Sequence, residues 1–265
     1  LFRSYRYQPP PSPDSEPEPP APFRRIAVRM PVVVPRLTYL LLGGIVLIYL
    51  YYMALSPLEK NAFLSDWAKV NEPIRNGEYY RLVSSMFLHL NLMHILFNGY
   101  ALYIIGRDVE SLFGHVRFAI IYFLGGLSGA LASFVFTDAP SVGASGAIFA
   151  IFGAEMIYFY KHRHLHGDAG RQHLRQLILL MVLNLGLGLF STATNFRIDN
   201  AGHIGGLVGG VVLAWFIAPE YNVQRDPAVE GGLRVVDQNP MPRWALSSVL
   251  YAAGLAAVLA YAITA

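Results

Sequence analysis

The chain of 265 residues contains no cysteine. Disulfides, thiolate nucleophiles and cysteine-ligated zinc are thereby excluded. Charge is also scarce: only 14% of residues are Asp, Glu, Lys or Arg, against about 25% in a typical soluble domain. What is abundant is hydrocarbon. Hydrophobic residues make up 54% of the chain, and the mean hydropathy is +0.41. They are gathered in long runs separated by short polar stretches, which is the pattern of a polytopic membrane protein and excludes a soluble enzyme. The formal net charge of +3 reads as membrane topology rather than as a nucleic-acid surface. The first residue is leucine, and no cleavable signal peptide is read, because the first apolar run follows a Pro-rich stretch without a small-residue cleavage site. No organelle-targeting presequence is seen either, so a bacterial plasma membrane is the expected location.

Residues 1–35 are expected to form a disordered cytoplasmic tail. Residues 7–22 are rich in Pro, Glu and Ser, and Arg24, Arg25, Arg29 and Arg36 then anchor the first span. Seven apolar spans are expected, at 37–55, 90–105, 118–136, 145–160, 177–190, 202–217 and 244–264. Residues 56–88 mix aromatic and charged side chains and read as a compact interfacial loop. Residues 162–175 read as a solvated basic loop, and 219–243 as a cytoplasmic linker. With the N-terminus inside, 15 of the 20 Lys and Arg fall on inner segments. The positive-inside rule therefore favours N-terminus in and C-terminus out.

On that topology the second, fourth and sixth spans all begin at the outer face. The second carries His94 and Asn98, four apart and on one helix face. The fourth opens with Gly143-Ala144-Ser145-Gly146, and the sixth with Gly202-His203. Ionisable side chains within a membrane are costly and mark function, although Ser, His and Asn also serve as packing glue between helices. Small residues recur every fourth position on two of these spans: Gly202, Gly206 and Gly210 on one, Gly146, Ala150 and Ala154 on the other. Such faces allow close backbone approach, either between these two helices or in a dimer. A serine is a weak nucleophile without a base in reach, and close approach of the two helices would supply one.

The ordered set His89-x4-His94-x3-Asn98, Gly143-x-Ser145-Gly146 and Ala201-Gly202-His203-x2-Gly206-x3-Gly210 resembles the motifs of rhomboid intramembrane serine proteases, over about residues 37–218. The resemblance implies an all-α membrane protein: a six-helix bundle at 36–218 with a seventh C-terminal transmembrane helix at 244–265. It implies Ser145 as nucleophile and His203 as general base. His94, Asn98 and the Ser145 backbone N–H would stabilise the oxyanion, and Gly143, Gly146 and Phe149 would line the site. Phe149 falls where the family often has a tyrosine stacked on the base, and Tyr80-Arg81 where it often has Trp-Arg. The fifth span and the turn near Phe196 match the family's gate and cap. The implied substrates are transmembrane protein helices, with no cofactor, no metal and no nucleic acid. Asp199 reads as a solvated loop acid, and His162, His164, His166 and His173 as part of the basic loop rather than a zinc site. A catalytically inactive relative that binds membrane helices is the alternative, and a transporter the more distant one.

Overall fold

A computed structural model describes residues 2–7, 24–191, 198–228 and 232–264. In chain order the elements begin with strands β1 (Phe2–Tyr7) and β2 (Arg24–Arg29) and helix α1 (Arg36–Ala54). Three short helices follow: α2 (Pro57–Trp67), α3 (Asn71–Arg75) and α4 (Arg81–Ser84). Next come α5 (Leu92–Ala101) and α6 (Arg107–Phe113), joined without interruption by a π-helical stretch, Leu102–Gly106. Then follow α7 (His115–Phe136), α8 (Ser145–Lys161), α9 (Arg163–Ser191) and α10 (Asn200–Ile217). The hairpin strands β3 (Tyr221–Arg225) and β4 (Leu233–Asp237) precede the last helix, α11 (Met241–Thr264). The protein is thus an all-α, multi-spanning membrane protein to which two short antiparallel hairpins are appended.

Among the described residues four helices are long and apolar enough to cross a membrane: α1, α7, α10 and α11. A fifth candidate is the bent pair Arg81–Phe87 and Leu92–Phe113, whose halves meet at 94°. α8 has 17 residues, or roughly 26 Å at 1.5 Å per residue, a little less than a hydrocarbon core of about 30 Å. α9 begins with a charged half and breaks at Gly167, where φ is 55°.

The centre is built by α7, α8 and α10, whose small residues let their backbones touch. A methyl group placed on Gly206 would lie 2.1 Å from the Gly146 carbonyl oxygen, and one on Gly210 would lie 2.0 Å from that of Ala150. On α7, a methyl on Gly125 would lie 2.3 Å from Ala150 Cβ. The two small-residue faces read from the sequence therefore meet each other. Above and below them Phe118, Ile121, Tyr122, Ile151, Leu213 and Ile217 fill the interior. Large apolar side chains such as Leu40, Leu47, Phe97, Val208 and Leu250 point outward, as suits a surface in contact with hydrocarbon.

Residues 56–88 are compact, as expected. Ser56 and Glu59 form a capping box that starts α2, with Pro57 in its first turn. The buried Arg81 donates to the Ser65 and Ala68 carbonyls and pairs with Glu78 at 2.6 Å. Arg81 thus holds the loop together from within, while the exposed Tyr80 donates its hydroxyl to the Asp66 carbonyl at 3.0 Å.

Elsewhere the structure differs from the sequence reading. Residues 163–175, expected as a loop, are helical except at Gly167, because Leu, Arg, Gln and Ala are good helix formers. The linker contains the β3–β4 hairpin, with Tyr221 paired to Asp237 and Arg225 to Leu233. Arg117 of α7 bonds Asp237 at 2.6 Å and the Asn239 carbonyl at 2.8 Å, and lies over the Trp244 ring. The tail expected to be disordered contributes β1 and β2, paired antiparallel from Phe2–Arg29 to Tyr7–Arg24; residues 8–23 lie outside the described residues. The second apolar run continues as far as Phe113 because Glu110 is consumed within the fold. Its carboxylate accepts from Leu37 N at 2.9 Å, Thr38 N at 2.6 Å and Thr38 Oγ1 at 2.6 Å, and meets His115 Nδ1 at 2.5 Å. It supplies the cap that Pro35 cannot give to α1.

Candidate active site

Ser145 is the first residue of α8, at the end of a loop that starts where α7 stops at Phe136. That loop is clamped by Lys69, between α2 and α3, and by Asn71, the first residue of α3. Asn71 Nδ2 reaches the Phe134 carbonyl at 3.0 Å, the Thr137 carbonyl at 3.1 Å and Asp138 Oδ1 at 3.0 Å. Lys69 Nζ donates to the Thr137 and Ala139 carbonyls at 2.9 and 3.0 Å. A cation at a helix C-terminus satisfies carbonyls that have no partner in the helix and complements its dipole. Lys69 and Ser141 also exchange two backbone hydrogen bonds, each of 3.0 Å. Burial pushes the Lys69 ammonium down to about 8, while Asp199 and Asp138 act in the opposite sense.

Gly143 donates its backbone N–H to the Ser85 carbonyl at 2.9 Å. Its φ of +129° lies in a region that side chains disfavour. A methyl there would also sit 2.6 Å from His94 Nε2. This glycine lets the His94 ring close against the loop that leads into Ser145.

His203 comes from the first turn of α10. Asp199 caps that helix: its Oδ1 accepts from Gly202 N at 2.8 Å, its Oδ2 from Ser141 Oγ at 2.6 Å, and its carbonyl from His203 N at 3.0 Å. The reading of Asp199 as a solvated loop acid is therefore corrected. The result is a contact of 2.8 Å between Ser145 Oγ and His203 Nε2. Phe149, one turn into α8, stacks on the imidazole. His203 Nδ1 is buried and has no hydrogen-bond partner among the described residues.

His94 lies in the first turn of α5, its N–H bonded to the side chain of the capping Asn91 at 2.9 Å. Asn98 is buried and gives an amide N–H to the His94 carbonyl at 2.9 Å. It steadies the helix turn that carries His94. His89 packs edge-on against His94, ring centroids 4.9 Å apart. A cavity of about 30 Å³, lined among others by Lys69, Ser85, Ser133, Gly143, Ser145 and His203, has room for about one water.

Of the other expected residues, Gly146 lies at the α8–α10 crossing described above. Phe196 lies outside the described residues. The histidines at 162–173 are not simply solvated. His162 is buried, its Nδ1 2.9 Å from the Tyr158 carbonyl and its Nε2 accepting from Tyr221 N at 3.1 Å. His173 Nε2 meets the buried Glu155 at 2.8 Å. Among the described residues no group of three or more His, Asp or Glu could hold a metal ion. The sequence reading missed Lys69, Asn71 and Ser141. Asp199-x2-Gly202 ahead of an apolar run was a visible cap signal.

These features define a polytopic helical membrane protein in which a serine at one helix start meets a histidine on a neighbouring, glycine-packed helix. The Rhomboid domain model matches residues 76–220, more than half of the chain, and the chain belongs to the rhomboid family. It is 37% identical to the rhomboid protease GluP of Bacillus subtilis over 181 residues, which are 68% of this chain and 34% of GluP. It is 34% identical to RHOMBOID-like protein 2 of Arabidopsis thaliana over 169 residues, 63% of this chain and 50% of that one. Against these two relatives the chain spans only a third to a half of their length. The Bacillus subtilis relative YdcA is 31% identical over 147 residues, 55% of this chain and 70% of YdcA. α11 is an additional apolar helix beyond the matched region.

Proposed function

We propose that the protein is an intramembrane serine endopeptidase. The observation that carries this reading is the 2.8 Å contact between Ser145 Oγ and His203 Nε2. His203 takes the hydroxyl proton as Ser145 attacks a peptide carbonyl, then returns it to the leaving amine. Water hydrolyses the acyl-enzyme in a second round of the same proton transfers. His94, whose Nε2 faces Gly143, and the Ser145 backbone N–H are the donors for the oxyanion. Asn98 acts with them, in part by holding His94. Losing one such donor commonly costs about 10²–10³ in rate. Gly143, Gly146 and Phe149 line the site.

The substrates are transmembrane helices of other membrane proteins. A helix hides its carbonyls in hydrogen bonds, so the scissile stretch must unwind, and helix-breaking residues lower that cost. Residues 36–218 form the six-helix catalytic core, with α5–α6, α8 and α9 as spans beside α1, α7 and α10, and with α11 as the seventh span. The N-terminus lies in the cytoplasm and the C-terminus outside, with Ser145 near the outer face of a bacterial plasma membrane.

The test is incubation of the purified protein in detergent with a panel of labelled single-span substrates. Cleavage by the wild type and none by Ser145→Ala or His203→Ala, with unfolding unchanged, is the expected result. Retained cleavage in Ser145→Ala would refute the assignment. Tight substrate binding without cleavage, and no reaction of Ser145 with a labelled fluorophosphonate, would favour the inactive helix-binding relative.

A further inference from the structure

Two parts of the chain must agree in height for Ser145 to meet His203. One is the loop from α7 into α8, the other the first turn of α10. Small residues fix α8 against α10 deeper in the bundle, but the first turn of a helix is where it frays most readily. Hydrogen-bonded proton transfer tolerates little error, and a misplacement of about 1 Å can cost on the order of 10²-fold in rate.

One joint spans both parts. Asp199 Oδ1 holds Gly202 N and Asp199 Oδ2 holds Ser141 Oγ, while the Asp199 carbonyl holds His203 N. Ser141 is in turn fixed by the paired backbone bonds to Lys69, whose ammonium grips the Thr137 and Ala139 carbonyls. Lys69 is 1% exposed, so this grip is shielded from water. Gly202 leaves room for the arrangement, since a methyl there would lie 2.8 Å from Asp199 Oδ2. We propose that Asp199, Ser141 and Lys69 form a positioning joint that sets His203 against Ser145. The inference rests on the protease reading above. Asp199 is not a third catalytic member: its oxygens are spent on Gly202 and Ser141, while His203 Nδ1 has no partner among the described residues.

The test uses the full chain in detergent and the variants Ser141→Ala, Asp199→Asn and Asp199→Ala. Four quantities are measured: the fluorophosphonate labelling rate of Ser145, kcat and KM for a single-span substrate, and amide hydrogen exchange in the first turn of α10. Ser141→Ala is expected to label roughly 10- to 100-fold more slowly, with kcat lowered alike and KM unchanged. The amides of Gly202 and His203 should exchange faster. Asparagine keeps the cap acceptor and can donate to Ser141 Oγ, so Asp199→Asn should restore most of the rate that Asp199→Ala loses. Wild-type labelling and exchange in Ser141→Ala, or an Asp199→Asn variant as slow as Asp199→Ala, would overturn the joint. A wild-type chain that neither labels nor cleaves refutes the protease reading instead, and the exchange comparison still decides whether the joint exists.

Discussion

The Phe149 ring lies flat on the His203 imidazole, with centroids 4.4 Å apart and planes 11° from parallel. Stacking of this kind contributes about 0.5–1.5 kcal/mol beyond burial. It fixes the imidazole plane without any hydroxyl at position 149. Phe149→Ala should therefore slow labelling of Ser145 by up to about tenfold. Phe149→Tyr should remain close to wild type, because it keeps the ring. Labelling kinetics with a fluorophosphonate check both.

The contact between α8 and α10 leaves no space for one added carbon at its centre. Gly206→Ala and Gly210→Ala would each place a methyl about 2 Å from a backbone carbonyl oxygen. Backbone cannot step aside as a flexible side chain can, so the helices must part. The expected cost is about 1–3 kcal/mol or more in stability, with loss of cleavage as Ser145 and His203 separate. Gly43→Ala and Gly44→Ala are the controls, since nothing lies within 4 Å of a methyl at either. Thermal unfolding and cleavage, measured together, should set the two pairs apart.

Glu110 lies 16 residues beyond His94 along α5–α6, or about 24 Å at helical rise. It should matter for stability and not for chemistry. Glu110→Ala strands the amides of Leu37 and Thr38, at about 1–3 kcal/mol for each buried donor left without a partner. Glu110→Gln, which keeps an acceptor oxygen, should be milder. A lowered unfolding midpoint with normal labelling of Ser145 well below that midpoint is the expected pair of results.

Lys69 predicts a pH dependence of stability. Its folded-state value of about 8 lies below the ordinary 10.5. Between those values the unfolded chain binds more protons than the folded one, so stability rises with pH. Below about pH 8 both states are protonated and the cost of burying the ammonium is present in full. Relative to Lys69→Met, the wild-type unfolding midpoint should gain between pH 8 and pH 10. A parallel course of the two curves would contradict the assignment.

How far the sequence could be read depended on whether a feature writes itself into residue type. Gly202, Gly206 and Gly210 and their counterparts Gly146, Ala150 and Ala154 repeat every fourth position, so their meeting was legible. The same is true of Ser145 and His203, because an isolated polar side chain in an apolar run stands out. α1, α7, α10 and α11 were placed within a few residues for the same reason. What stayed hidden was the support around the site. Lys69 and Asn71 bond to backbone carbonyls of residues 134–139, and a carbonyl is the same at every position. Glu110 lies five residues beyond the expected end of the second span, and its partners, the amides of Leu37 and Thr38, have no residue signature either. His162 to Arg175 read as a loop on charge alone, although half of those residues are good helix formers. The β3–β4 hairpin escaped because its valines are set among charged and turn-forming residues.

The bond between Glu110 and the start of α1 also bears on the order of assembly. A chain is made from its N-terminus, and α1 emerges 72 or more residues ahead of the carboxylate that closes its first turn. Until α6 arrives, the leading amides of α1 must rely on water or lipid headgroups. The first turn of the newborn helix is closed only when that distant carboxylate has been synthesised and folded back beside it.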